Sequence, residues 1–452
     1  MNYCVLDFGA VGNRSVDSTA AFRAAVDTCR VSGGGTVVIP AGEYTIATVR
    51  LCSDIHLQFE SGACLYGSED PDQFDPREEL GYPKYQDASH SCIRHSMFWA
   101  EDCENITVSG AGTIDMQSVW EKRDTPGEGQ WTARRAAKIF GFRECEKVTV
   151  KDLTLLHATD LAVYFLGCSG VRVNGLALDV NIDGISPDCC RDVIISDCKI
   201  RSGDDGIVLK SSYALNRKEL CRDVTVENCT VSSRCNAIKL GTESNGGFKN
   251  ILIKNCEIYD TYYAGVSLEI TDGGEMDGVW VTDLTMRNVG YPLFVILSDR
   301  RRGPAGTKIG SMRNIEISHI TAAGPYEPFK APQLTALWEG ERMDMPCLMP
   351  SSVTGQPGVP IENISLTDLD FTVPGGGTVN DRDMAVPEIS HEYPENDRFG
   401  KTLPAYGIYF RHVKGLRLKN INIRPEQEDK REMLVFEDVE MCRDEKVCED
   451  QK

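Results

Sequence analysis

The chain has 452 residues, 41% of them hydrophobic, enough to bury a large core and to exclude a disordered or staple-dependent protein. Its formal charge is −20. Such a surface repels nucleic-acid phosphates and anionic lipid, so neither is an expected partner, although a locally basic pocket could still take a small anion. No run of about 18 apolar residues marks a membrane-crossing helix.

In chain order, "MNYCVLDFGAVGN" reads as a strand and a turn. It has neither the basic start nor the apolar run of a secretion signal, so the protein is expected in the cytoplasm. "SVDSTAAFRAAVDTCRVSGGG" holds the strongest helical pattern, with Asp17 or Ser18 able to cap it and Gly33 to Gly35 to end it. Residues 1–45 then form an N-terminal cap over the rest of the chain.

The long central part of the chain is repetitive. "ENITVSGAGTID", "EKVTVKDLTLL", "SGVRVNGLALD", "RDVIISDCKI", "RDVTVENCTV", "KNILIKNCEI", "DGVWVTDLTM", "RNIEISHITA", "ENISLTDLDF" and "KGLRLKNINI" each alternate apolar and polar residues, then turn at Asn, Asp or Gly. Shorter strands such as "GIVLK" and "AIKLG" lie between consecutive copies, and no long helical pattern does. Repeats of this size cannot bury their faces alone and must stack. The expected fold is all-β: one single-stranded, right-handed parallel β-helix over residues 1–452, with an N-terminal capping helix. A propeller would need four antiparallel strands per blade, more than these copies hold. Residues 378–404 read as a Pro-rich, charged loop insertion, and residues 425–452 as a charged tail in which "MLVF" is a last strand.

The 18 cysteines include no CxxC pair, which argues against a zinc or redox site. Cys198, Cys229 and Cys256 occupy the same place in three successive repeats, the pattern of a buried column of free thiols.

The chemistry concentrates in "NIDGISPDCCRDVIISDCKIRSGDDGIVLKSS", residues 181–212. Aligning the short strands on Ala162, Gly184, Gly206, Ala237 and Gly265 places Ile207, Leu209, Ile238, Leu240, Val266 and Leu268 inward. It places Asp188, Asp204, Lys210, Lys239, Ser267 and Glu269 on the outward face. Asp183 and Asp205 have inward parity, but a bare buried carboxylate is costly, so they are expected to turn out at the strand entrance. Asp183, Asp204 and Asp205 then cluster on adjacent turns. Like charges this close keep one group protonated beside another that is ionised, which is the acid and base that glycosidic hydrolysis requires. Three readings stay open on the residues alone: a hydrolase, a calcium-dependent polysaccharide lyase, and a non-catalytic glycan-binding β-helix that uses Asp as a turn residue. His157, His319 and His412 fall in strand repeats, where a structural role is the default.

These motifs resemble glycoside hydrolase family 28, the polygalacturonase-like hydrolases, over nearly the whole chain. The resemblance is carried by "DFGAVGNRSVDSTAAFRAAVD" with "GGGTVVIPAGEY", "GAGTID", "NIDGISPD", "SGDDGIVLKS" and, as in bacterial members, "GTESNGGFKNI". It implies Asp204 as general acid, Asp183 and Asp205 as the groups holding the attacking water, inversion with carboxyls about 6.5–9.5 Å apart, an oligosaccharide substrate and no cofactor. Two motifs depart from the family's pattern. Its Gly-His-Gly is replaced in "RCNAIKLGTES", leaving Cys235 or Asn236 at the histidine's place. Its Arg-x-Lys carboxylate-binding pair is replaced by Ser267 and Glu269 in "AGVSLEI". A glutamate there repels a uronate, so the expected substrate is not plain polygalacturonate. Lys210, Asn236, Lys239, Glu243, Ser267 and Glu269 complete the expected substrate-binding set, and the aromatics Tyr262, Tyr263 and Tyr291 fall near the same face. The sequence carries no signal of oligomeric state.

Overall fold

The computed structural model describes residues 1–442 except 87–89, 118–119, 123–130, 134–136, 331–341 and 347. Its strands wind as a right-handed parallel β-helix. Each coil in the middle of the chain contributes three strands, and each pairs in parallel with the equivalent strand one coil later. Glu146–Lys151, Ser169–Asn174, Arg191–Ser196 and Cys221–Glu227 make one such ladder, and Thr154–Leu156, Ala177–Val180, Lys199–Ser202 and Thr230–Ser233 a second. The third ladder carries the site. It stacks β1 (Val163–Leu166), β2 (Ile185–Asp188), β3 (Ile207–Ser211), β4 (Ile238–Ser244) and the end of β5 (Gly247–Ile270). Its register runs Val163, Ile185, Ile207, Ile238, Val266, so the small residues before them align as the sequence implied.

Period-2 alternation explains the core. Ile185, Ile207, Leu209, Ile238, Leu240, Val266 and Leu268 are fully buried, and each such side chain contributes about 1.5–3 kcal/mol relative to exposure. Stacking aligns like with like. Phe98, Phe140, Phe142 and Phe165 form a ladder with ring centroids 5.7, 6.1 and 5.3 Å apart. Cys198, Cys229 and Cys256 form the expected column, each buried and in contact with the next. A second column, Cys145, Cys168, Cys190, was not picked out in the sequence. The described cysteines are free thiols. Turns are held by Asn and Asp in the left-handed region, a conformation these residues tolerate, and are cross-linked between coils. Asn255 Nδ2 donates to Asn228 Oδ1 at 2.6 Å, and Asn228 donates to Asp197 at 3.3 Å.

The N-terminal helix α1 (Thr19–Val31) buries Ala21, Phe22, Ala25, Val26 and Cys29 against the first strands. Of its two candidate caps, Asp17 is the one used: Thr19 N donates to its Oδ1 at 2.8 Å, while Ser18 makes no side-chain cap. The insertion holds two short helical turns, Val379–Arg382 and Asn396–Phe399. The tail supplies a last strand, Glu432–Met441, which contains "MLVF".

One expectation needs correction. The outward face of β2–β5 is not solvent-exposed: Asp188, Lys210, Lys239 and Glu269 are 0–4% accessible. Loops from distant parts of the chain cover it. Tyr82 Oη donates to the carbonyl of Ala214, Arg302 Nε donates to that of Tyr85, and Asp299 N donates to that of Ser390 at 2.9 Å. Asp188 is consumed by this packing, accepting from Tyr164 Oη, Ser212 N and Ser212 Oγ.

Candidate active site

Asp183, Asp205 and Asn236 are successive rungs of one backbone ladder: Gly184 N donates to Asp205 O at 3.0 Å, and Gly206 N to Asn236 O at 2.9 Å. The glycine after each aspartate has a steric cause. A Cβ on Gly184 would lie 2.5 Å from Gly206 O, and one on Gly206 would lie 2.5 Å from Val231 Cγ1 and 2.6 Å from Ala237 O. The coil bends too closely there for any side chain, and that bend carries the aspartates out of the core at the strand entrance. Asp204 is fixed through its carbonyl, which accepts from Ser202 Oγ and Ser233 Oγ at 2.6 Å each. One carboxylate oxygen from each of Asp183, Asp204 and Asp205 lies within 4.8 Å of the other two. These nearest oxygens are closer than the expected 6.5–9.5 Å. Asp183 and Asp205 stand on adjacent rungs, and the interstrand spacing of about 4.8 Å sets their separation.

The three carboxylates have different company. Lys210 Nζ is 3.5 Å from Asp183 Oδ2, and Lys239 Nζ is 3.3 Å from Asp205 Oδ2. Asn236 Nδ2 also donates to Asp205 Oδ1 at 2.9 Å. Asp204 has no cation at ion-pair distance among the described residues; its Oδ1 accepts from Asp205 N, and the Cys235 thiol lies against it. Burial, then the charge of Asp205, pushes the Asp204 carboxyl above its usual range. Burial raises Asp183 as well, opposed by Lys210. The cluster therefore retains protons where isolated aspartates would have lost them. A carboxylate triad of this kind has the ligand chemistry of a divalent cation site, but here two ammonium groups supply the compensating charge.

Around this centre the other expected residues assemble. Glu243 lies 3.4 Å from Lys210, 3.7 Å from His90 and 3.6 Å from Arg302. Burial alone would raise its carboxyl, but Lys210, with His90, Arg300 and Arg302, holds it well below the usual range. Glu269 lies 3.6 Å from Lys239 and accepts from Ser267 Oγ at 2.6 Å. Burial, against the pull of Lys239, pushes Glu269 up to about 7. All nine expected site residues thus lie in one connected group. Tyr262 and Tyr263 are half-buried and pack edge to face, and the buried Tyr291 packs against Tyr263. His157 pairs with Asp115 at 2.7 Å, remote from the site.

His90, at Glu243, was missed in the sequence, and so were four residues from two other loops. The insertion sends Tyr393 and Glu395 to Lys239, at 3.4 Å and 3.7 Å. Arg300 and Arg302 arrive from the segment after the sixth strand, β6 (Glu275–Leu297), and both engage Asp272. None of the four lies in a periodic stretch. The only signal was the charge and aromatic content of "HEYPENDRF" and "SDRRRG".

The model of glycosyl hydrolases family 28 matches residues 29–324, about two thirds of the sequence and all of the site apart from the insertion. The chain belongs to this family. A probable polygalacturonase of Vitis vinifera is 25% identical over 310 residues, 64% of this chain and 62% of that protein. The chain thus matches less than two thirds of the length of that relative. Among solved structures, the family 28 exopolygalacturonase of Yersinia enterocolitica aligns over 98% of this chain and 78% of its own, with TM-score 0.69 and 18% identity. The exopolygalacturonase of Thermotoga maritima aligns over 94% and 92%, with TM-score 0.68 and 17% identity. These two likenesses establish the fold of the family 28 chain.

Proposed function

We propose that the protein is an inverting glycoside hydrolase acting on small oligosaccharides, and that the sugar gripped beside its acid–base cluster is not a free uronate. One observation carries the reading. The four cations at ion-pair distance from the site's carboxylates are already matched: Lys210 faces Asp183 and Glu243, Lys239 faces Asp205, Glu269 and Glu395, Arg300 faces Asp272, and Arg302 faces Glu243.

This arrangement has two consequences. Asp183 and Asp205, each held by a lysine ammonium, are placed to orient a water as general base. The cation-free Asp204, with its raised pKa, is suited to hold the proton that the leaving oxygen takes. In a single displacement the water oxygen bonds to the anomeric carbon as the glycosidic C–O bond breaks. Its proton passes to the base, and the Asp204 proton passes to the departing oxygen. Second, a uronate carboxylate entering here finds these four cations already engaged by carboxylates. Loops from residues 82–86, 299–303 and 393–395 cover the face, which favours a short substrate or a chain end over the middle of a polymer.

The test is a panel of defined oligosaccharides assayed for released sugar, with the anomer of the first product followed by NMR. Inverted product from neutral or substituted sugars supports the proposal; retained configuration, or release of galacturonate from plain polygalacturonate, overturns it. The carboxylate triad would also suit a calcium-dependent lyase. That alternative predicts an unsaturated, ultraviolet-absorbing product lost with chelator, whereas hydrolysis is indifferent to chelation.

A further inference from the structure

Next to Lys239, on the side away from Asp183, lies a group of side chains that the acid–base chemistry does not use. Glu269 is fully buried and Arg300 has a side chain 8% accessible. Arg300 commits Nε and Nη2 to Asp272. Its Nη1, Glu269 Oε2 and Glu395 Oε2 are buried and have no hydrogen-bond partner among the described residues. Buried donors and acceptors are normally satisfied, because an unmet one keeps its full desolvation cost. Here the three belong to residues set around Lys239 and Tyr393. Tyr393 lies with Lys239 Nζ 5.5 Å and Arg300 Cζ 5.6 Å from its ring centroid, and Tyr393 is 41% accessible.

We propose that Glu269, Arg300, Tyr393 and Glu395 form a sugar-binding subsite that grips the hydroxyls of a neutral glycosyl residue next to the bond being cleaved. The assignment rests on the glycoside hydrolase reading and adds to it the residues that choose the sugar. A pyranose presents hydroxyls, each able to donate and to accept, on a ring with apolar C–H faces. The site offers the matching set: a guanidinium donor, two carboxyl groups able to accept, and an accessible aromatic face. Charge decides against a uronate. Lys239 and Arg300 are matched by Asp205 and Asp272, so neither is left over for a uronate carboxylate. Burial, opposed by Lys239, pushes Glu395 up to about 8, so near neutral pH Glu269 and Glu395 hold protons that a sugar oxygen can accept. Three of the four residues, Arg300, Tyr393 and Glu395, come from loops outside the strand repeats. The sugar preference is therefore set by segments that can vary without disturbing the coil.

The experiment uses the full chain carrying Asp204→Asn to stop turnover, with galactose, xylose, rhamnose and galacturonate as probes in calorimetric titrations near pH 6.5. Support is binding of at least one neutral sugar, galacturonate at least about tenfold weaker, and loss of about 10- to 100-fold in neutral-sugar affinity on adding Glu395→Gln or Tyr393→Ala, the range for hydrogen bonds to ionisable groups. Tyr393 and Glu395 lie in the loop insertion, outside the coil, and unfolding midpoints equal to the parent's verify that the added variants fold. Unchanged neutral-sugar affinity in both variants, tighter binding of galacturonate, or no binding of any probe by the parent overturns the subsite. Hydrolysis separates the two proposals. A wild-type enzyme that cleaves a neutral-ended oligosaccharide, with KM unaltered by Glu395→Gln and Tyr393→Ala, keeps the function and loses the subsite. A wild type that cleaves nothing in the panel loses the function as well.

Discussion

Lys239→Met tests the electrostatic design of the site, because it removes one ammonium and keeps most of the stem's volume. That ammonium lies 3.3 Å from Asp205, 3.6 Å from Glu269 and 3.7 Å from Glu395, on a residue 1% accessible. At an effective dielectric of about 20, unit charges about 3.5 Å apart attract by about 5 kcal/mol. The three contacts do not sum, since the raised glutamates are partly protonated and the buried ammonium carries its own desolvation cost. The net expected loss is about 3–5 kcal/mol, the scale for breaking a buried ion pair from one side. The pH dependence carries a definite sign. Native Glu269 and Glu395 titrate at about 7 and about 8, above the 4.5 of a free glutamate. Their contribution to stability is complete below about 4.5 and is lost as pH rises through 7 and 8. Lys239 opposes that loss. The variant's deficit is therefore greatest near pH 8 and shrinks toward pH 5.5, where both glutamates are neutral and only Asp205 lacks its partner. Urea unfolding at the two pH values measures it. A deficit below about 1 kcal/mol at pH 8, or one that grows on acidification, would refute the assignment of Lys239 as the shared counter-ion.

Four further outcomes are expected. Asp204→Asn lowers kcat by about 10²- to 10⁴-fold, the scale of general acid catalysis, while the urea midpoint stays near wild type; full activity on substrates with poor leaving groups would remove Asp204 from the acid role. Asn236→Ala deletes the donor to Asp205 and the acceptor that Ala264 N uses at 3.1 Å, so stability drops by about 1–3 kcal/mol and kcat falls with it; an unchanged kcat would mean that Asp205 needs no such anchor. Gly206→Ala forces a Cβ to within 2.5 Å of Val231 and costs about 1–3 kcal/mol, read as a lowered melting temperature; a neutral effect would show that the coil can relax there. Thiol titration of protein unfolded without reductant gives close to 18 free thiols, and a substantially lower count would reveal disulfides.

The geometry of stacking explains how much was legible in the sequence. In a parallel coil, side-chain parity and the repeat length determine which residues become neighbours, so position along the chain converts directly into position in space. The inward column Ile185, Ile207, Ile238, Val266, the thiol column and the assembly of Asp183, Asp204 and Asp205 were therefore readable from spacing alone. The turn ladder of Asn and Asp was readable for the same reason. Tertiary structure alone decided the burial of the outward face. Its covers, residues 82–86, 299–303 and 393–395, are aperiodic loops, and Arg302 meets Tyr85 across 217 positions. No local pattern encodes such a contact, because nothing in a loop's composition states which coil it will fold against. The same holds for the roles of the three carboxylates. Parity brings them together, but only the placement of Lys210 against Asp183 and Lys239 against Asp205 leaves Asp204, among the described residues, without a cation at ion-pair distance. That difference is a matter of a few ångströms, set by where long side chains come to rest once the loops have closed over them.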